Sequence, residues 1–228
     1  MTIEKPQKKR SALFTLVKKN LFFTTPPAMW LFVLMSALIL IPNYPMIVAP
    51  GYIFLAIFNV FNVARANKDL EFTVNLPVRR KDVVTGSAFL IVAFEAATLV
   101  SCGAFAAIAD FVISPGGNVV GLDPNLTLFG VAAAGYGAFN LIFLPGFYRT
   151  GYKSGLPTLF GVLGYLALYG IAETLVQAIP SLTAALDGLN AEYLWARAIA
   201  LAVGLLLMGA LTAIGVKLGQ KKFDKISL

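Results

Sequence analysis

The chain has 228 residues, of which 58% are hydrophobic and only 13% charged, with a formal net charge of +7. Average soluble domains carry about 25% charged residues, so this composition excludes an ordinary soluble domain and also an intrinsically disordered chain. The absence of histidine excludes a Ser-His-Asp triad and a His-ligated zinc site, and the single cysteine, Cys102, cannot form an internal disulfide. The sequence predicts an integral membrane protein.

Six apolar runs reach or approach the length of about 20 residues that a helix needs to cross a bilayer. Their apolarity is continuous rather than alternating, which argues against a β-barrel, and helices satisfy their own backbone in lipid. We therefore predict an all-α membrane protein with a single transmembrane domain over residues 1–228. Its predicted spans are about 21–41, 46–64, 83–110, 126–144, 156–179 and 193–216. Pro26-Pro27 interrupts the first of them near its start.

Residues 10–23 predict a helix that lies in the membrane interface, as an elbow before the first span. Lys18 and Lys19 fall largely on a different side from a group of apolar residues, namely Leu13, Phe14, Leu16, Val17 and Leu21. Such helices place their apolar face in lipid and their cations among the headgroups. The alternative is a simple extension of the first span into the cytoplasm.

The loop between the second and third spans, residues 66–84, reads ANKDLEFTVNLPVRRKDVV. Leu70, Phe72 and Val74 among polar neighbours predict a short amphipathic helix that stands off the membrane and docks a cytoplasmic partner. Pro77 stops a helix over Asp69–Asn75, and the basic run that follows opens the next helix. The alternative is an ordinary basic loop.

Glu95 is the deepest acidic residue, about twelve residues into the third span. An acid there costs roughly 2.5–3.5 kcal/mol on the insertion scale, so it normally faces protein or water. One interpretation is a cavity residue that meets substrate or a cation. The other is a hydrogen bond between helices, for example to Asn59, Asn62 or Asn140.

The loop between the fourth and fifth spans, residues 144–157, reads LPGFYRTGYKSGLP, and its three glycines and two prolines predict a tight turn. The four basic segments of the chain hold 17 of its 18 Lys and Arg residues, and only Arg197 falls on the other side. Under the positive-inside rule, both termini are therefore cytoplasmic.

The sequence lacks the motifs of several classes of enzyme and binding protein. The chain has no phosphate-binding G-x-x-x-x-G-K-[ST], no H-E-x-x-H and no C-x-x-C motif. Its candidate catalytic acids, Glu95, Asp110 and Glu173, lie on different spans or at different depths. The basic residues do not form one face of a soluble domain. We predict no catalytic residue, no metal site, no cofactor in this chain and no nucleic-acid partner.

The strings DLEFTVNLPVRRKDVV and LPGFYRTGYKSG resemble two cytoplasmic stretches of the small, six-span permease subunits of ABC transporters, type-2 exporter class. The matching residues are Glu71, Leu76, Pro77, Arg80, Lys81, Asp82 and Val84 in the first string and Pro145, Tyr148, Arg149, Gly151, Lys153 and Gly155 in the second. One departure is Ser87-Ala88-Phe89, where that family often has Lys-Tyr-Leu, which leaves the substrate subgroup open.

The resemblance implies a transport subunit of a bacterial plasma membrane that performs no covalent chemistry. Two permease copies, as a homodimer or a related heterodimer, would pair with two ATP-binding subunits, which hold the ATP and Mg²⁺. The cargo would be an amphipathic peptide or lipophilic compound, and export would confer resistance to antimicrobial peptides. Coupling to the ATPase would fall to Asp69, Leu70, Glu71, Phe72, Leu76, Pro77, Arg79, Arg80, Lys81, Arg149 and Lys153.

For the pathway itself, we predict that Glu95 with Asn59, Asn62 and Asn140 lines an internal pathway that accepts a cationic amphipathic cargo, whose apolar face slides along walls rich in Phe and Leu. Two other functions stay open at this point. A secondary transporter driven by an ion gradient should show internal repeats with broken helices, and no convincing repeat relates the two halves. The second open function is that of a membrane assembly subunit that does not itself transport.

Overall fold

A computed structural model describes residues 9–76, 78–112, 118 and 120–225. Every regular element in these residues is helical, and the chain is an all-α integral membrane protein. Five stretches are long and apolar enough to cross a membrane, or six if one bent pair counts as a span. The α-helices are α1 Lys9–Lys19, α2 Leu31–Leu34, α3 Val48–Gly51, α4 Ile53–Ala66, α5 Asp69–Val74, α6 Arg80–Val112, α7 Leu126–Arg149, α8 Gly155–Ala178, α9 Pro180–Leu186 and α10 Leu194–Phe223.

The first predicted span is not one continuous helix. A π-helical turn, Asn20–Thr24, ends two residues before Pro26, and the helical pieces Leu13–Phe22 and Pro27–Leu40 meet at 86°. The elbow therefore turns sharply away from the segment that follows it. Ten of the fourteen residues in Pro27–Leu40 are 3₁₀-helical. Because a 3₁₀-helix rises about 2.0 Å per residue, this short segment still extends about 26 Å.

The other spans agree with the predicted ones but run further at one end of the bundle. The seventh helix continues beyond Leu144, through Pro145, to Arg149, and the tenth continues to Phe223. The turn between α7 and α8 is consequently only Thr150–Ser154. We call the end of the bundle that holds α1, α5, this turn and the carboxyl end of α10 the basic end.

The seventh helix is the centre of the bundle. In its apolar, membrane-crossing part, 72% of the residues are buried, against 22% for both α8 and α10. Glycines let α10 lie against it backbone to backbone. A Cβ atom added at Gly204 would overlap the Gly130 carbonyl, and one at Gly215 would come within 2.7 Å of the Asn140 carbonyl oxygen. Small residues are the usual means of such close approach in lipid.

The face of α7 that meets α4 and α8 is aromatic. Phe139, Phe143 and Phe147 follow one another at intervals of four and stack with ring centroids 5.1 and 5.6 Å apart. Phe61 of α4 packs edge-on against the last two rings, and Phe54 stacks on the first at 4.3 Å. This ladder of rings fills the interior at the level where α4 crosses α7.

The end opposite the basic end is closed by short polar contacts. Asn125 caps α7 by accepting hydrogen bonds from two of its first backbone N–H groups, and its amide donates to the carbonyls of Leu186 and Gly188. Arg197, the basic residue assigned by sequence to this side, is buried and donates to the carbonyl of Ala185, at the end of α9. These bonds hold α9 against the bundle.

Candidate functional site

The short helix α5 is held at the basic end by one lysine. Lys19, the last residue of α1, places Nζ 2.8 Å from both carboxylate oxygens of Asp69 and 2.7 Å from Oγ1 of Thr73. Asp69 and Thr73 lie one turn apart on the same face of α5. A single ammonium group therefore fixes both the position and the rotation of α5 relative to the elbow.

Another side of α5 carries an exposed aromatic ring. Phe72 has 62% of its surface accessible, although this helix lies outside the membrane-length helices. Leu76 is partly exposed just beyond the end of the helix. Pro77 and the side chains of Leu70 and Glu71 lie outside the described part of the chain. Of the predicted docking residues, Phe72 is thus the one whose exposed apolar surface the structure shows.

The turn between α7 and α8 is anchored on both sides. Tyr152 adopts a left-handed backbone conformation (φ 68°), and its amide donates to the carbonyl of Phe147. Ser154 donates a 2.7 Å hydrogen bond to Oδ1 of Asn62 in α4, and Tyr148 donates to Oγ of Ser87 in α6. The second motif is therefore bonded to both helices that flank the first motif.

The two motifs meet at Phe223, near the end of α10. Arg80 lies over its ring at 5.5 Å and donates to its carbonyl, while Tyr148 and Tyr152 pack against the same ring. Burial raises the pKa of the Tyr152 hydroxyl to about 12, against an opposing effect of Arg80. This packing places Arg80 in a structural contact at the basic end.

The remaining predicted coupling residues are cations at the surface. The side chains of Arg79, Lys81, Arg149 and Lys153 are all exposed at the basic end. Together with the Phe72 ring, they give this end a surface that combines positive charge with one apolar projection.

A second polar site lies inside the bundle, where α6, α7 and α10 meet. Glu95 and Asn140 are both fully buried, and Asn140 Nδ2 donates to Glu95 Oε2 at 2.9 Å and to Thr212 Oγ1 at 3.0 Å. Glu95 Oε1 and Asn140 Oδ1 have no donor among the described residues. Two of the four predicted pathway residues are therefore in direct contact, and they link three helices.

The other two predicted pathway residues make different contacts. Asn59 donates to the carbonyl of Leu55 in its own helix, and Asn62 accepts from Ser154 in the turn after α7. Among the hydrogen bonds of the described residues, neither reaches Glu95. The structure thus brings together Glu95 and Asn140 but uses Asn62 as an anchor for the basic end.

Sequence reasoning missed several residues of these two sites. Lys19 was assigned to lipid headgroups, and nothing local connects it to Asp69, which is fifty residues away. Thr212 is one weakly polar residue in an apolar helix. Phe223 follows two lysines in a basic segment that is typical of solvent-exposed chain. Of these, Phe223 offered a signal, because it is an apolar residue among charges beyond the predicted span.

In the described ranges, no group of three or more His, Cys, Asp or Glu side chains is placed to hold a metal ion.

Comparison with known proteins gives one match. The family model described as "ABC-2 family transporter protein" matches residues 14–218, which is most of the chain. No curated protein and no solved structure matches it. The matched range includes most of the elbow, both motifs at the basic end, and the long helices as far as residue 218.

Proposed function

The chain belongs to the ABC-2 family of transporter proteins, and from that premise we propose that it is the permease of an ATP-driven exporter. As an ABC transporter permease, it is a membrane transport subunit that works with an ATP-binding ABC subunit. In our proposal the cargo is an amphipathic peptide or a lipophilic compound that leaves a bacterial cell. Protection against antimicrobial peptides follows if the cargo is such a peptide.

The exposed Phe72 ring on α5 is the observation on which this proposal rests. An aromatic side chain outside the membrane has no lipid to enter, so a groove on a partner protein is its natural site. The ring and four exposed cations lie at the same end of the bundle, the one that carries most of the basic residues. We propose that this surface docks the ATPase and that ATP-driven movement of the ATPase reaches the membrane helices through α5.

The rest of the proposal concerns assembly and pathway. Two permease copies, alike or related, bind two ATPases, which supply the ATP and Mg²⁺, and both termini lie in the cytoplasm. Glu95 and Asn140 contribute to the cargo pathway, and because both are fully buried here, cargo reaches them only when α6 separates from α7 and α10.

Replacing Phe72 with Ala tests the docking role. The matched control is Phe160→Ala, since Phe160 lies on α8 with a similar exposed fraction, 55% against 62%. Each variant is co-purified with its ATPase, and ATP hydrolysis is measured with and without cargo. We expect Phe72→Ala to weaken the complex and to abolish stimulation of hydrolysis, with Phe160→Ala unchanged.

Full stimulation and a stable complex in Phe72→Ala would place the docking surface elsewhere. Failure to recover any ATPase with the wild-type chain would contradict the proposed assembly.

A further inference from the structure

An open apolar groove of about 630 Å³ runs between α6 and α10, and it adjoins the buried polar site at Thr212. Phe89 of α6 and Leu205 of α10 form its walls, and Met208 and Thr212, both largely buried, form its floor. Gly209 widens it, since a Cβ atom at this position would have no neighbour within 4 Å. The groove opens onto the outer surface of the bundle.

The groove has the length of one membrane leaflet. From Leu205 to Lys217, α10 advances twelve residues, which at about 1.5 Å each is about 18 Å. Half of a hydrocarbon core of about 30 Å is about 15 Å. At the basic end the groove is closed by Gln220, whose amide donates to Oγ1 of Thr85 and to the carbonyl of Lys81.

Charge is confined to the closed end. Lys217 is the one charged residue among the described residues that line the groove. Lys221 follows it by four residues and so lies on the same side of α10, and Lys81 lies across from it at the start of α6. All three ammonium groups are exposed. The groove is therefore apolar along one leaflet and cationic at the headgroup level.

We propose that this groove binds one anionic phospholipid of the leaflet at the basic end, with an acyl chain along the floor and the phosphate at Lys217. Basic pockets between transmembrane helices recognise anionic headgroups by this combination of charge and apolar depth. The chain of the lipid would rest on Thr212, the residue that accepts a hydrogen bond from Asn140.

A second copy of the protein is a poorer occupant of the same groove. A two-fold dimer places the same patch of both subunits in contact. Around this groove it would bring Lys217 and Lys221 close to the same residues of the other copy, with no acid among the lining residues to separate the charges. The lipid site is independent of the proposed function.

Native mass spectrometry of the full-length protein in detergent tests the proposal, with dioleoyl-phosphatidylglycerol and dioleoyl-phosphatidylcholine as probes. We expect the wild type to retain one phosphatidylglycerol more tightly than phosphatidylcholine. Gly209→Leu, which fills the groove, should lose this lipid whatever its headgroup. Its matched control is Gly103→Leu on α6, where a Cβ atom also meets nothing within 4 Å and which does not line the groove.

Lys217→Gln should lower the preference for phosphatidylglycerol about five-fold, since a basic residue near an anionic surface contributes about 1 kcal/mol. Lys225→Gln, exposed beyond the end of α10, is its control and should change nothing. If Gly209→Leu does not reach the membrane, the comparison of Lys217→Gln with Lys225→Gln still tests whether the groove binds an anionic lipid.

An unchanged lipid count in Gly209→Leu overturns the proposal, and so does equal retention of the two lipids by the wild type. Conversion of a dimer to monomers by Gly209→Leu in lipid-free detergent also overturns it, because the groove would then be a face between two copies.

Discussion

Two attachments in this molecule are made in opposite ways. The tenth helix lies on α7 with backbone against backbone, and a glycine on one helix touches the carbonyl of a glycine on the other. The short helix α5 is attached to the elbow by the end of one flexible side chain, Lys19, through an ion pair and a hydrogen bond. The first attachment is extensive and buried, whereas the second is small and partly exposed.

The difference indicates which parts of the protein can move independently. Dispersion contacts between closely packed backbones are lost over a fraction of an ångström, so α7 and α10 have little room to shift relative to each other. A partly exposed ion pair is weakened by salt and can break without disturbing the bundle. We infer that the helix pair behaves as one rigid body and that α5 is the adjustable part.

Gly204→Ala, at the rigid attachment, should cause the largest loss of stability. The new Cβ atom overlaps the Gly130 carbonyl, and backbone cannot move aside as a flexible side chain can. We expect a loss of about 3 kcal/mol of stability, measured as a lower thermal unfolding midpoint in detergent. Gly209→Ala, on the same helix with open space around its Cβ, is the control. Equal midpoints for the two variants would refute a rigid contact between α7 and α10.

Glu95→Ala should have the next largest effect, because it removes the acceptor of Asn140 and leaves a cavity at the junction of three helices. We expect a loss of about 1–3 kcal/mol. Glu95→Gln should keep the wild-type stability, since it preserves the volume and an acceptor and adds a donor near Asn140 Oδ1, which now has none among the described residues.

Transport of a cationic peptide should be measured in the same two variants at equal protein levels. It distinguishes a structural role of Glu95 from a role of its charge. Loss in both variants supports the pathway prediction, because the Gln variant lacks only the ionisable group. Full transport by Glu95→Gln would make Glu95 a structural residue.

Lys19→Met should affect the adjustable attachment alone. Because the variant lacks the ammonium group that donates to Asp69 and Thr73, α5 is no longer fixed in rotation. We expect stimulation of the partner ATPase to fall about ten-fold. The unfolding midpoint should barely change. Lys18→Met, the exposed neighbour, is the control.

A charge exchange, Lys19→Asp with Asp69→Lys, should recover part of the lost stimulation, since it restores the ion pair. A large fall in the midpoint of Lys19→Met would contradict the comparison, because the lysine would then support the whole bundle.

The smallest perturbation tests which side of the membrane holds α5. A cysteine at Asn75, in a chain with Cys102 replaced by Ala, should leave transport unchanged, since residue 75 is exposed. A membrane-impermeant thiol reagent should label it in inside-out vesicles and not in intact cells. Labelling from outside intact cells would reverse the predicted orientation.

The sequence was sufficient for features that depend on length and composition. The long apolar runs predicted the spans from the second onward, the basic run after Pro77 predicted the start of α6, and the family resemblance is confirmed by the match over residues 14–218. The bend between Leu13–Phe22 and Pro27–Leu40 also agrees with the predicted elbow.

The sequence could not predict features that depend on contacts between residues far apart in the chain. Glu95 had three candidate asparagine partners, and only the packing of α7 against α6 selects Asn140. The interruption of the first span at Pro26-Pro27 was predicted, but its 3₁₀ geometry was not, because composition does not distinguish 3₁₀ from α geometry. Pro145 suggested a turn, yet it lies inside α7, which continues through it to Arg149, because membrane helices tolerate a proline when neighbouring helices support the backbone.

The glycine contact between α7 and α10 also has a consequence for biosynthesis. The two helices are separated by more than forty residues, so α10 leaves the ribosome after α7 and α8. The backbone contact between α7 and α10 can therefore form only after the intervening span has been synthesised. Until then, the small residues of α7 present an unfilled surface to lipid, and synthesis of α10 is the step that covers it.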